Sequence, residues 1–373
     1  MKNYLGSLIV ILSLTLVQCK EKKNQEGNSA ELELNQNYTM DDFKSVPKID
    51  IHVHISTLNT NFIDLARTNN FKLLNVTVDH SGPSQIERMQ EISRAQKENH
   101  PDIFDFGTAF SLKGWNEPNW SKNVIERLEL DFDKGANSVK TWKNIGMEYR
   151  DNNGDLIFLD HPQLDAVFDF IQDQGKIWLS HAGEPLNCWL PLDSMTVKND
   201  RDYFKAHPKY HMFLHPEQPS HQDQIDHRDN RLVKNPDFAM IAVHMASLEW
   251  DVEEVSNFLD RFPNAHVDLA ERMSHTQHQS QKNRKKVRDF FIKYQDRVIY
   301  GTDLGESDNS NPLELERKIK ELWENDWKYF NTDELFYVPQ LNDPVRGLSL
   351  PREVVDKIYY SNARKLFPNG WQG

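Results

Sequence analysis

Five residues far apart in the chain fall at matching places: His52 and His54 in KIDIHVHI, His181 in KIWLSHAGEP, His244 in MIAVHMAS and Asp303 in VIYGTDLG. Each follows a short run of β-branched or apolar residues, so each stands at the C-terminal end of a predicted strand. In an extended segment a His-x-His pair presents both rings on one face, because side-chain direction repeats every two residues. Neutral imidazoles and a carboxylate are the ligands that a borderline cation such as zinc takes, at about 2.0–2.2 Å, and a position left open would hold water. Any one of these histidines, in a chain with 15 of them, is as readily an ordinary core or surface residue. The ordered set of five, each on its own strand end, reads as a catalytic metal site.

Such a set needs a parallel sheet to position it. Candidate strands at 49–53, 72–78, 104–109, 138–142, 176–180, 238–243, 265–268 and 297–300 alternate with helical stretches at 84–99, 123–133, 163–174, 252–261 and 281–294. That alternation is the signature of βα units. Asp165, Val167, Phe168 and Ile171 show the three-to-four spacing of a helix packed on a sheet. Two stretches, 185–236 and 313–351, exceed what a minimal repeat needs. Loops beyond about 12–15 residues are usually functional, so both are expected as walls or lids over the metal.

From about residue 46 to 367 the chain resembles the amidohydrolase superfamily, in the amidohydrolase-related branch that includes aminocarboxymuconate-semialdehyde decarboxylase. KIDIHVHI, GANSVKTWKNIG, HAGEP, NPDFAMIAVHMAS, VIYGTDL and LPREVVDKIYYSNARKLFP carry the resemblance, in family order. It implies a distorted TIM (β/α)8 barrel, with 46–370 as the catalytic domain. It also implies that His52, His54, His181 and Asp303 bind a divalent metal, zinc first among the candidates, while His244 acts on the substrate. Asp303 would in addition take a proton from the attacking water and pass it to the leaving group. The implied reaction is attack of metal-activated water on an ester, lactone or amide carbonyl of a small-molecule substrate, the carbonyl being polarised by the metal or by His244. The alternative is metal-dependent, non-oxidative decarboxylation of a carboxylated aromatic or enal. A TatD-like phosphodiesterase also begins with His-x-His, but expects a glutamate on the fourth strand, where this chain has Lys140. A binding lipoprotein without catalysis is a further rival, though such proteins usually lose a ligand and here the set is intact.

Lys140, in NSVKTW, has three readings: an ammonium that holds substrate, a carboxylated lysine bridging a second metal, or an inert residue on the strand exterior. One ion is expected, or two if Lys140 is carboxylated. Alternation puts Lys140 and Trp142 on one face and turns Lys143 elsewhere. Glu184, Arg272, His275 and His80 follow predicted strands closely enough to reach substrate. Arg272 leads this group, because a guanidinium fork suits a carboxylate.

The N-terminus belongs to targeting. Lys2 precedes an apolar run at 4–16, too short for a membrane span of about 20 residues and suited to a signal peptide. LVQC resembles a lipobox, so residues 1–18 read as a lipoprotein-type signal and Cys19 as the lipidated residue, with Gln18 a departure from the usual small residue. An ordinary secretory signal with an incidental cysteine is the other reading. Residues 19–45 are expected as a flexible tether, polar and charged over most of their length. The chain would then be an exported cell-envelope protein, periplasm-facing or at the cell surface, held to a membrane by its lipid. With Cys19 acylated, Cys188 has no disulfide partner and reads as buried packing. A net charge of −13 argues against nucleic acid as a partner, since phosphate binding needs basic patches. Whether the protein forms a homodimer is open from sequence.

Overall fold

The computed structural model describes residues 37–372. The expected signal at 1–18, Cys19 and the tether as far as residue 36 lie outside the described residues. Strands β1 (Lys48–Ile55), β2 (Phe71–Asn75) and β3 (Phe104–Phe106) pair in parallel, as do β4 (Thr108–Ala109), β5 (Ser138–Thr141), β6 (Ile177–Ser180), β7 (Met240–Ala242), β8 (Ala265–Asp268) and β9 (Val298–Ile299). The strands β3 and β4 are one strand interrupted at Gly107, whose N–H still donates to Asn75 O at 2.9 Å. The ring closes where β10 (Leu304–Glu306) pairs with β1, and where Ile51 N donates to Tyr300 O at 3.1 Å. This is the distorted (β/α)8 barrel that the sequence implies.

Outer helices are α1 (Asn61–Thr68), α2 (Pro83–Asn99), α3 (Trp120–Asp133), α4 (Asp165–Asp173), α5 (Lys198–Ala206), α6 (His221–Lys234), α7 (Val252–Arg261), α8 (Met273–Lys293) and α9 (Pro312–Asn331). The first long stretch, 185–236, holds α5 and α6; the second holds most of α9 and a small hairpin, β11 (Leu335–Phe336) with β12 (Val345–Arg346). Among the described residues no helix is long and apolar enough to cross a membrane.

Alternation along the strands builds two apolar layers. Ile49, Ile51, Leu74, Leu179, Ile241 and Ile299 fill the lower interior, closed below by Phe367 and Trp371. Val53, Ile55, Leu73, Trp178 and Met240 face outward under the helices. Fully burying such a side chain contributes about 1.5–3 kcal/mol. Strict alternation from Ile51 would send His52 outward with Asp50. The register of β1 on β2 shifts between Asp50 and Val53, however, and this bulge keeps Ile51 and then His52 both inside. From there the period of two resumes, and His54 follows His52 inward.

The tether ends earlier than residue 45. Asn37 Nδ2 donates to Leu350 O at 2.7 Å, Tyr38 OH donates to Asp356 at 2.8 Å, and Phe43 is buried against Phe71 and Trp327. Tyr38 and Phe43 supply the apolar contact with which the chain joins the barrel here.

Candidate metal centre

The bulge in β1 and the break between β9 and β10 aim side chains at one point. Asp303 sits in that break at φ +67, its N–H donating to His52 O at 2.8 Å. Its Oδ1 lies 2.8 Å from His54 Nε2 and 3.2 Å from His52 Nε2. Asp50 fastens the break from behind: Oδ1 accepts from Thr302 N at 3.0 Å and Oδ2 from the Thr302 hydroxyl at 2.6 Å. Gly301 leaves the necessary room, because a Cβ there would meet His52 Cβ at 2.9 Å.

His52 is oriented from its other nitrogen. Nδ1 donates to Asp268 Oδ2 at 2.7 Å, which leaves Nε2 facing Asp303 Oδ1 and Lys140 Nζ. Asp268 Oδ1 accepts from His244 N at 2.6 Å and from Ala270 N at 3.3 Å. Two trios of donor atoms are close enough to hold an ion: His52, His54 and Asp303, or His52, His244 and Asp268. In the second trio the carboxylate is already occupied on both oxygens, by His52 Nδ1 and by His244 N. We therefore read Asp268 as the carboxylate that orients a ligating histidine.

His244 occupies an unusual backbone. His244, Met245, Ala246 and Ser247 have φ of 59, 55, 61 and 52°, a left-handed run that costs L-residues about 1–2 kcal/mol each. Several contacts hold it: His244 N on Asp268, Arg228 Nη1 donating to Ala246 O, and His221 Nε2 donating to Ser247 O at 2.9 Å. Residues in such regions persist where their surroundings over-determine them, commonly at functional sites. His244 Nδ1 lies 2.9 Å from Ala270 O and must donate to it, so Nε2 is left as an acceptor. A neutral His244 therefore cannot donate to a substrate carbonyl, contrary to one role expected for it; it accepts a proton or ligates. His244 Nε2 and His181 Nε2 are both buried without a hydrogen-bond partner, and their rings lie 4.2 Å apart.

Electrostatics match a cation site. Burial holds His181 and His244 well below the ordinary imidazole range and, with the Lys140 charge, holds His54 at about 4. They stay neutral, which is the ligating form. His52 runs the other way: burial and Lys140 lower it, but Asp268 and Asp303 outweigh them. A protonated His52 keeps Asp303 ionised against the cost of burial until a cation takes the proton's place. Lys140 is buried and inward-facing, so it is not an inert exterior lysine; its Nζ stands 2.5 Å from His52 Nε2. Burial brings its amine down to about 8.

These groups floor a cavity of about 780 Å³. Its walls include His80, Trp142, Lys143, Glu184, Asp200, Tyr203 and Arg272. Lys143 was expected to turn away, but the strand ends at Thr141 and alternation no longer applies. Its ammonium pairs with Glu184 and lies 5.3–5.6 Å from the rings of Trp142, Tyr203 and Tyr210. His275 does not line the cavity; it is buried behind the wall, Nε2 3.1 Å from Asp200 Oδ2. Arg272 lines it, and the fields of Asp200, Glu249, Glu184 and Glu271 outweigh the cost of burial and keep it charged. No carboxylate among the described residues pairs with it, and its Nε has no hydrogen-bond partner there. Of the two long stretches only 185–236 walls this cavity, through Pro185, Asn199, Asp200, Tyr203 and Phe204. Residues 313–351 border a different space. Sequence reasoning missed Asp268, Asp50 and Lys143 as parts of the site. Asp268 ends a predicted strand as Asp303 nearly does, and that parallel was the available signal.

The donor set fits a divalent cation: ligand atoms of His52, His54 and Asp303 lie within 4.8 Å of one another. The unpartnered nitrogens of His181 and His244 line the same cavity, although His181 belongs to neither close trio. A sequence profile described as Amidohydrolase matches residues 149–368, which include His181, His244 and Asp303. No curated protein matches the chain. Among solved structures, 2,6-dihydroxybenzoate decarboxylase from Rhizobium is similar with a TM-score of 0.51 at 15% identity, over 87% of this chain and 99% of that one. An uncharacterised TIM-barrel protein from Bordetella bronchiseptica gives 0.47 at 14%, over 87% and 99%. Dihydroorotase from Saccharomyces cerevisiae gives 0.40 at 10%, over 78% and 82%. With more than half its length matched by the family profile, the chain belongs to the amidohydrolase family.

Proposed function

We propose that the protein is a metal-dependent hydrolase in which water adds to an ester, lactone or amide carbonyl. His52, His54, His181 and Asp303 would hold the cation, most simply zinc. When bound, such an ion polarises a carbonyl and lowers the pKa of water to about 7. Asp303 takes the proton of the attacking water at its carboxylate and returns it to the departing alkoxide or amine as the acyl bond breaks. His244 Nε2, a free acceptor facing the same space, holds the substrate or water from the other side. The observation that carries this reading is one carboxylate oxygen within 2.8 and 3.2 Å of two imidazole nitrogens on the cavity floor.

Charge balance favours a neutral carbonyl over a carboxylated substrate. Arg272 and Lys143 lie in the walls. Glu184 pairs with Lys143, and the negative field of Asp200, Glu249, Glu184 and Glu271 surrounds Arg272 without an ion pair among the described residues. Lys140 is the exception. An ammonium and a dication cannot share His52 Nε2, so Lys140 either pivots into the cavity as a substrate donor or becomes a carboxylated ligand. In Lys140→Met the first case raises KM with metal content unchanged. The second lowers metal from about two ions to about one.

The test is a panel on the metal-loaded protein: lactones, esters and amides against carboxylated aromatics. Turnover of a neutral carbonyl substrate is expected. Carbon dioxide release from an aromatic carboxylate, with none of the hydrolysable compounds turned over, would replace this reading by the decarboxylase. Lipid anchoring through Cys19 in the cell envelope is proposed from Lys2 and the 4–16 run. Cys19→Ser should move the protein out of the membrane fraction, and retention there would refute the anchor.

A further inference from the structure

A second cavity, about 420 Å³, lies between α8, α9 and residues 338–340. Asn199 and Glu271 belong to its wall and to that of the metal-side cavity. Its other walls mix apolar side chains, Leu269, Met273, Leu304, Leu322, Val338 and Pro339, with polar ones that include Thr302 and the buried Asp326. Lys198, at the start of α5, fixes the roof: its N–H donates to Gln340 O at 3.0 Å and its Nζ to Leu341 O at 2.9 Å.

Into this space project polar groups without protein partners. Gln277 is 3% exposed and lines the cavity, yet its carboxamide makes no hydrogen bond among the described residues. Its amide atoms open onto the cavity and are not sealed in protein. An amide that opens only into a cavity can be met there by water or by a ligand. The half-buried Asn325 carboxamide lines the same space, also without a hydrogen-bond partner among the described residues. The charges nearly cancel: Arg317 pairs with Glu321 at 3.1 Å, and Lys318 offsets Glu271. Burial favours the neutral acid of Asp326, which accepts from Tyr300 OH. Apolar walls with a few convergent polar groups are how small-molecule sites are built.

We propose that this cavity binds a small uncharged amide with an apolar body, its carboxamide paired with those of Gln277 and Asn325. Two carboxamides offer donors and acceptors together, which match an amide edge. The cancelled charges give an anion no advantage. Because Asn199 and Glu271 wall both cavities, the ligand sits one side chain away from the metal-side cavity. The site stands independently of which reaction the metal centre performs.

Benzamide is the probe, titrated by calorimetry into the metal-loaded protein, with benzoate as its charged counterpart. Benzamide should bind in the millimolar range or tighter, and benzoate at least about tenfold more weakly. Gln277→Leu should weaken benzamide by about tenfold, the loss of one hydrogen bond. Leu322→Trp, which fills the cavity from half-buried α9, should abolish binding with metal content intact; it carries the test alone if Gln277→Leu does not fold. No benzamide binding to wild type, equal binding of benzoate, or benzamide affinity unchanged in the folded variants would each overturn the proposal.

Discussion

The two sides of the metal cavity are built differently. On the barrel side, His52, His54 and Asp303 stand on strand ends, and each supporting carboxylate is anchored to backbone N–H groups. Asp50 takes Thr302 N and the Thr302 hydroxyl; Asp268 takes His52, His244 N and Ala270 N. On the insertion side, the wall is held by pairs of side chains: Lys143 with Glu184, and Asp200 with His275 and Asn187. Backbone anchors fix position within tenths of an ångström, whereas paired side chains can trade partners with a substrate. The difference assigns chemistry to the strand ends and selection to the insertion.

The largest effect should come from Asp303→Asn. Asparagine keeps an oxygen for the cation but cannot take a proton, so turnover should fall by about a thousandfold or more with a smaller loss of metal. Near-normal turnover would remove Asp303 from proton transfer. Next is Asp268→Asn, which unsettles His52 without touching the cavity. Metal affinity should drop about 10–100-fold, the usual cost of losing a carboxylate behind a ligating histidine. Unchanged affinity would mean that the barrel side is no more rigid than the wall.

Asp326, behind the barrel side, gives a pH signature. Burial raises its carboxyl from 3.8 to about 8, although Tyr300 OH donates to it. The folded state therefore holds one proton more than the unfolded chain between those values. That stability is fully present below 3.8 and is lost as pH rises through about 8, at about 1.4 kcal/mol per pH unit within the window. Denaturant midpoints of wild type should decline from mildly acidic to mildly basic pH relative to Asp326→Asn; parallel curves would contradict the assignment. The smallest effect belongs to the wall. Asp200→Asn loosens α5 from His275, so KM should rise several-fold while metal content holds. Loss of metal in this variant would dissolve the division between the two sides.

Much of the barrel side was legible in the chain. The β-branched runs located the strand ends, and a period of two put His52 and His54 together. The bulge was not legible, because Ile49, Ile51, Val53 and Ile55 alternate without interruption through it. Asp268 was overlooked because its partner His52 is 216 positions away and only closure of the ring joins them. The wall was read less well, for one reason throughout: neutralisation is tertiary. Arg272 looked like a free fork until the field of Asp200 and Glu249 was placed around it. Likewise His275 followed a strand closely enough to reach substrate, yet α5 covers it. Lys143 looked diverted by alternation, which had already ended.

The central claim is that one cation is held by the strand-end histidines and Asp303. Metal analysis of purified wild type beside the double variant His52→Ala/His54→Ala tests it most directly. Wild type should carry about one tightly bound divalent ion, or two if Lys140 is carboxylated, and the folded double variant none. Stoichiometric metal in the double variant, or a wild type that takes up no added zinc, would contradict it.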